Sequence, residues 1–218
     1  KTGNRKMQIQ HYESLIKKFP NDLSLYYGLA NAQLQSNNSK AAIEVLNKIE
    51  NIIGVSEEVS IQKYQLFLQS RNNNAAVNEL KKLTEFFPDV IDFRLAVASF
   101  YLQTGNFYEA ITHYEAAKEI EPSNIEVLIS LAECYMRLGN FNKSILYFKQ
   151  IFEDDLILLD TKVEIMIFLY DISQSEKSLQ NGANELMALL LSKYPNDPKV
   201  NSISGDFYFR NEDYEKAL

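Results

Sequence analysis

The sequence predicts an all-α fold, a right-handed superhelical solenoid of antiparallel helix pairs. Three observations carry that expectation. The first is punctuation: four of the five prolines close helix-like runs, in Phe19-Pro20-Asn21-Asp22, Phe87-Pro88-Asp89, Glu121-Pro122-Ser123-Asn124 and Tyr194-Pro195-Asn196-Asp197. Proline cannot continue a helix, and the Asn or Asp that follows can cap the next one, so each cluster joins two helices. The second is spacing, because Pro88 and Pro122 stand 34 residues apart, Pro20 and Pro88 stand 68 apart, and Gly54 holds the midpoint. The third is an order of small and large residues that recurs on this period, as stacked helical repeats require.

The period sets the elements in order. Residues 1–22 read as a partial repeat, with a turn at Gly3-Asn4 and a helix from Met7 to Phe19. Residues 23–56 carry Tyr26, Leu29, Ala30, Ala42, Leu46 and Ile49 on the inward faces of two helices. Residues 57–90 keep Phe67, Ala76, Leu80, Leu83 and Pro88, but Lys63 and Tyr64 stand where a large apolar and a small residue belong, which predicts a displaced or differently packed first helix. Residues 91–124 are the clearest unit: Val97, Ala98 and Tyr101 share one helical face, Gly105-Asn106 turns the chain, and Ala110, Tyr114 and Ala117 share a second face. Alanines lie where two backbones approach, and tyrosines fill the space beside them. Residues 125–158 repeat this with Leu128, Leu131, Ala132, Tyr135, Gly139, Ser144, Phe148 and Ile151, so that Ser144 and Ile151 replace alanines. Residues 159–197 exceed the 34-residue period by five. Ile165, Met166 and Leu169 stay in pattern with Ala183, Met187, Leu190 and Pro195 only if Ser173–Asn181 is a loop insertion between the helices. Residues 198–218 hold Gly205, Tyr208, Tyr214 and Ala217 and enter a second helix. Both ends stand inside a repeat, so further units are expected beyond them, and uncovered terminal helices would offer a route to self-association.

This order of large and small residues, closed by proline, resembles the tetratricopeptide repeat family over essentially the whole chain. The resemblance implies one solenoid over residues 1–218 that binds proteins. In that family the first helices line a concave groove, and positions 2, 5, 9, 12 and 13 of each unit meet the ligand. Position 5 supplies Tyr27, Ile61, Leu95 and Ile129, and position 9 supplies Asn31, Gln65, Ser99 and Glu133. These eight residues are the candidate peptide-binding groove, an apolar ladder beside a polar one. The amides would bond a peptide backbone while Ile61, Leu95 and Ile129 take its side chains. Position 12, which includes Leu34, Leu68, Leu102 and Met136, is uniformly apolar and reads as core. Over the five positions seven acids, among them Glu58, Asp92, Glu126 and Asp160, face three bases, so a neutral or basic partner is expected rather than an acidic one. One subset of the family grips carboxylate tails with Lys at position 5 and Asn at position 9. Here Tyr27 stands with Asn31, which disfavours that use.

Composition and motifs limit the alternatives. The chain is 46% hydrophobic and 23% charged, enough to build a core, and its net charge of -7 disfavours a phosphate-backbone ligand. No apolar run approaches the roughly 20 residues of a membrane-spanning helix. Cys134 is the single cysteine, so no intrachain disulfide forms; it does not select a compartment. With no basic neighbour to activate it, Cys134 reads as packing. His11 and His113 fall at one repeat position three units apart, too far to share a metal. No phosphate loop or nucleophile elbow occurs, and neither a cofactor nor catalysis is expected. The expected function is a protein-interaction scaffold. A self-assembling segment of a longer array, or an adaptor appended to an enzyme or receptor, are the alternatives.

Overall fold

The structure, a computed structural model, describes residues 2–173 and 176–210. It is all-α. The described residues form twelve helices in sequential antiparallel pairs: α1 (Thr2–Lys18), α2 (Leu23–Gln35), α3 (Ser39–Ile53), α4 (Glu57–Gln69), α5 (Asn73–Phe86), α6 (Ile91–Gln103), α7 (Phe107–Ile120), α8 (Ile125–Arg137), α9 (Phe141–Glu153), α10 (Leu159–Ser173), α11 (Lys177–Lys193) and α12 (Pro198–Arg210). Two compact units result, Lys1–Val97 and Ala98–Leu218, with the division inside α6.

The turns explain the pairing. Within the pairs the chain reverses through a residue in left-handed geometry followed by Asn: Asn37, Arg71, Gly105 and Gly139 have φ of 56°, 58°, 77° and 71°. Glycine takes that geometry at no steric cost, whereas Asn37 and Arg71 hold it as side-chain-bearing residues. The next residue caps the second helix. Asn38, Asn72 and Asn140 accept through Oδ1 from the amides of Ala41, Ala75 and Lys143 at 3.2, 3.3 and 3.3 Å. Between pairs, Asp22, Ser56, Asn124 and Asp197 accept from Ser24, Val59, Val127 and Lys199 amides at 3.0, 3.3, 3.2 and 2.9 Å. Each cap satisfies an amide that the helix itself leaves without a carbonyl.

In the first unit α1 packs on α2, α2 on α3, α3 on α4 and α4 on α5. Its core gathers Tyr26, Leu29, Ala30, Ala42, Val45, Leu46, Ile49, Val59 and Leu66. In the second unit α7 packs on α8, α8 on α9, α11 on α9 and α10, and α12 on α10 and α11. Phe148, Ile151, Leu169, Leu186, Met187 and Phe207 are buried there. Ser144 occupies a helix contact where alanine serves elsewhere, and its buried Oγ meets no partner. Ser144→Ala is expected to raise stability by about 1 kcal/mol, because it removes a desolvated hydroxyl and improves helix propensity. The readout is a higher urea midpoint with an unchanged slope.

Three local expectations are corrected. Gly3-Asn4 is not a turn but lies inside α1. Gly105 and Gly139 turn because a completed helix ends on them, whereas no helix precedes Gly3 among the described residues. Ser173–Asn181 is not a loop, since α10 runs to Ser173 and α11 starts at Lys177. The extra residues lengthen the two helices to 15 and 17 residues, whereas most of the others have 13 or 14. Residues 174 and 175 lie outside the described residues, as do Tyr214 and Ala217.

The third correction concerns α4, which keeps its place between α3 and α5 and differs in what fills the contact. Lys63 is only 2% exposed, yet it enters the core with its charge matched. Its Nζ lies 2.8 Å from Glu50 of α3 and 2.9 Å from Glu79 of α5, and Lys82 pairs with the same two carboxylates at 3.3 and 3.2 Å. Burial alone would raise the Glu50 pKa, but hydrogen bonding and charge from Lys63, then Lys82, hold it below the usual carboxylate range. For Lys82 burial acts downward, and the charges and hydrogen bonds of Glu79 and Glu50 outweigh it, raising the ammonium pKa. Four charges from three helices thus occupy a site expected to displace one of them.

Candidate functional site

The first unit presents its candidate residues mainly on α2 and α4. Tyr27 is half-buried and packs against the unit's core, so its ring is partly committed to folding. Burial first, and the charge of Glu58 second, raise its phenol pKa. Asn31 is exposed on α2, Ile61 is half-buried on α4, and Leu95 is half-buried on α6. Gln65 lines a 320 Å³ hollow with Gln62, Gln69 and Leu66 of α4, Leu34 of α2 and the turn at Asn37. Three amides at i, i+3 and i+7 therefore share one helical face, where they can donate and accept along a backbone.

The second unit holds Ser99, Ile129 and Glu133. Ser99 is half-buried on α6, and its Oγ accepts from Gln103 Nε2 at 3.3 Å. Ile129 and Glu133 come together on the wall of a larger cavity of 580 Å³, between α8 and α10. From α8 come Ile129, Glu133, Met136 and Arg137, which share one flank of the helix. Phe148 of α9 forms part of the lining, while Thr161, Glu164, Ile165, Phe168 and Ile172 of α10 form the opposite wall. Ile129 is 36% exposed and Phe168 47%, so apolar surface faces solvent where a side chain could cover it. Glu133 accepts from Arg137 Nη2 at 3.3 Å, and Glu164 adds a second carboxylate. The cavity is an apolar hollow with polar, net acidic edges.

The α8 wall follows positions 5, 9, 12 and 13 of its repeat, but the α10 wall does not. Thr161, Glu164, Ile165 and Phe168 stand at positions 3, 6, 7 and 10, the flank of α10 that lines the hollow. Sequence reasoning missed them because it assigned one face to every first helix, whereas a hollow between two helices uses opposite flanks of each. The run of apolar residues from Ile165 to Phe168 was the available signal, since it is too broad for one buried stripe. Position 12 is corrected too: Leu34 and Met136 are only half-buried and line hollows, and Leu68 is exposed.

Beneath the site, Cys134 is fully buried, and burial followed by the charge of Glu133 pushes its thiol pKa up to about 11. It stays a protonated packing residue at neutral pH. His11 is exposed, and His113 stacks on Tyr101 with ring centroids 5.9 Å apart. Among the described residues, no group of three or more His, Cys, Asp or Glu is arranged to hold a metal ion, and no helix is long and apolar enough to cross a membrane.

A family profile described as Tetratricopeptide repeat matches residues 9–59 and 105–155, and a second of the same description matches residues 63–125. Among solved structures, the C-terminal part of a TPR repeat-containing protein from Cytophaga hutchinsonii is 16% identical, with 99% of this chain and 87% of that chain covered at a TM-score of 0.57. MamA is 22% identical over 68% of this chain and 81% of its own, at a TM-score of 0.48. YrrB, titled a TPR protein with an unusual peptide-binding site, is 14% identical over 68% and 77%, at 0.47. No curated protein matches the chain.

Proposed function

The chain belongs to the tetratricopeptide repeat family, whose members generally mediate protein–protein interactions, and we propose that it acts by holding an unfolded segment of another protein against its first helices. The observation that carries this reading is the cavity between α8 and α10, which exposes Ile129 and Phe168 between Glu133 and Glu164. Its 580 Å³ falls within the range of concave ligand sites and leaves room for a large side chain. An apolar side chain from the partner would displace water from Ile129, Met136 and Phe168, while the carboxylates would favour Lys or Arg beside it and oppose an acidic neighbour. The amides of Gln62, Gln65 and Gln69 form a separate polar contact in the first unit, suited to a peptide backbone. Ligand capture needs no catalytic group, so the role is that of a scaffold.

Binding of a fluorescein-labelled decapeptide with a central Phe between two Lys residues tests this. Phe168→Asp is expected to weaken binding at least tenfold, about 1.4 kcal/mol, and Glu164→Lys to shift preference toward the same peptide with Glu in place of Lys. Leu146→Asp, at an exposed position on α9, should leave both affinities unchanged. Equal affinity of the wild-type chain for the Lys and Glu peptides, or indifference to Phe168→Asp, would remove the proposal.

A further inference from the structure

The joint between α9 and α10 breaks the capping rule kept at four other joints. Before α2, α4, α8 and α12 the chain places Asp22, Ser56, Asn124 and Asp197, each accepting a backbone amide bond. Before α10 the same place is held by Leu158, whose side chain has no acceptor. Val90 makes a similar substitution before α6, but it is 39% exposed, whereas Leu158 is 74% exposed and Leu156 is 90% exposed. A polar residue at Leu158 would stabilise the helix and the leucine does not, so local stability is given up to display apolar surface.

The display is held from below by two lysines. Lys162, fully buried, donates from Nζ to the Asp154 carbonyl at 2.7 Å. Lys193 donates to the Glu153 carbonyl at 2.7 Å and pairs with Asp155 at 2.6 Å. Asp154 Oδ1 accepts from the Leu156 amide at 2.9 Å, closing the turn that lifts Leu156 outward. A loop restrained at both carbonyls loses little freedom when something covers it. Of the charges near the tip, Asp155 is paired with Lys193 and Asp160 with the exposed Lys199, Lys162 is buried, and the carboxylate of Glu153 is exposed.

We propose that Leu156 and Leu158 form a rigid docking prong, and that its occupant is an apolar cleft on another protein edged by Lys or Arg. Burying two exposed leucines supplies the affinity, and the exposed Glu153 carboxylate, on a chain of net charge -7, selects the basic rim. A second copy of the chain fits poorly, because each copy carries a net charge of -7 and its own hollow sets Glu133 and Glu164 against Arg137 alone, which is already paired with Glu133. An anionic membrane is disfavoured by Glu153 and by the same net charge.

The test places the photo-crosslinker p-benzoylphenylalanine at Leu156 in the full chain expressed in its own cell, and reads the crosslinked peptides by mass spectrometry. The expected adduct is with one other protein, at apolar residues within a few positions of Lys or Arg. Leu158→Ser is expected to abolish that adduct while raising the melting temperature by about 2–4 °C, the size of a regained helix cap in a chain of this length. Glu153→Lys should cut the adduct yield severalfold without lowering the melting temperature. Adducts confined to lipid or to copies of the chain, an adduct that survives Leu158→Ser, no adduct at all, or a yield indifferent to Glu153→Lys would each overturn the proposal.

Discussion

Lys63→Ala is expected to destabilise the first unit by about 3–5 kcal/mol, toward the lower end, because it leaves Glu50 and Glu79 buried with only Lys82 to offset them. Desolvating an ion is costly, and the native arrangement offsets that cost only while all four charges are present. Removing the lysine takes away the 2.8 and 2.9 Å contacts and keeps the desolvation of both carboxylates. Replacing Lys63, Glu50 and Glu79 together by leucine is expected to be neutral or stabilising, since it removes the partners along with the charge. Urea unfolding followed by circular dichroism separates the two variants. A Lys63→Ala loss below about 1 kcal/mol would mean that the network contributes little.

The same network gives a pH signature. Glu50 has a lowered pKa in the folded state, so its contribution is present above the ordinary value near 4.5 and disappears as pH falls through the folded value. Lys82 has a raised pKa, so its contribution is present below the ordinary 10.5 and is lost as pH rises through the folded value. Stability from this site should therefore be flat across the neutral range and fall at both extremes, with Lys82 damped because its side chain is 37% exposed. In Lys63→Ala the acid flank should flatten, because Glu50 loses its nearest cation.

How far such features were legible depends on whether they are local. The reversal after α2, α4, α6 and α8 repeats a left-handed residue and an Asn on the 34-residue period, and Gly105-Asn106 announced it; Arg71-Asn72 adopts the same turn with no glycine to signal it. Ile129 and Glu133 could be placed together because four positions along one helix share a face. The wall opposite them, Glu164 and Phe168, could not, because it depends on how α10 is rotated against α8. Lys63 was visible as an anomaly but not as a solution, since its partners sit on two other helices, Glu50 thirteen residues earlier. Periodicity says that a side chain points inward; it does not say what waits there. The insertion was misread for a related reason: polar residues from Ser173 to Asn181 suit either a loop or an exposed helical turn, and packing of α11 on α9 and α10 favours the helix.

Gly182→Ala should destabilise the second unit by about 1–3 kcal/mol, against the gain of about 1 kcal/mol that alanine normally brings to a helix interior. Gly182 lies inside α11 and is buried against α9. A Cβ at this position would stand 2.6 Å from Ile145 Cδ1 and 2.9 Å from Cγ2, closer than van der Waals contact allows. Ile145 is itself buried and β-branched, and the clash reaches both of its branches, so relief requires an unfavourable χ1 or a movement of α11 away from α9. The sign of the effect is therefore informative, because the helix-propensity term and the steric term oppose each other. Ile145→Ala alone leaves a cavity and is expected to cost about 2–4 kcal/mol. Combined with Gly182→Ala it removes the atoms that clash, so the double variant should be more stable than the sum of the two losses by at least about 1 kcal/mol. Additive losses would place the strain of the Gly182 variant somewhere other than Ile145, and a raised melting temperature in the single variant would mean that α9 and α11 do not approach as closely as their glycine contact implies.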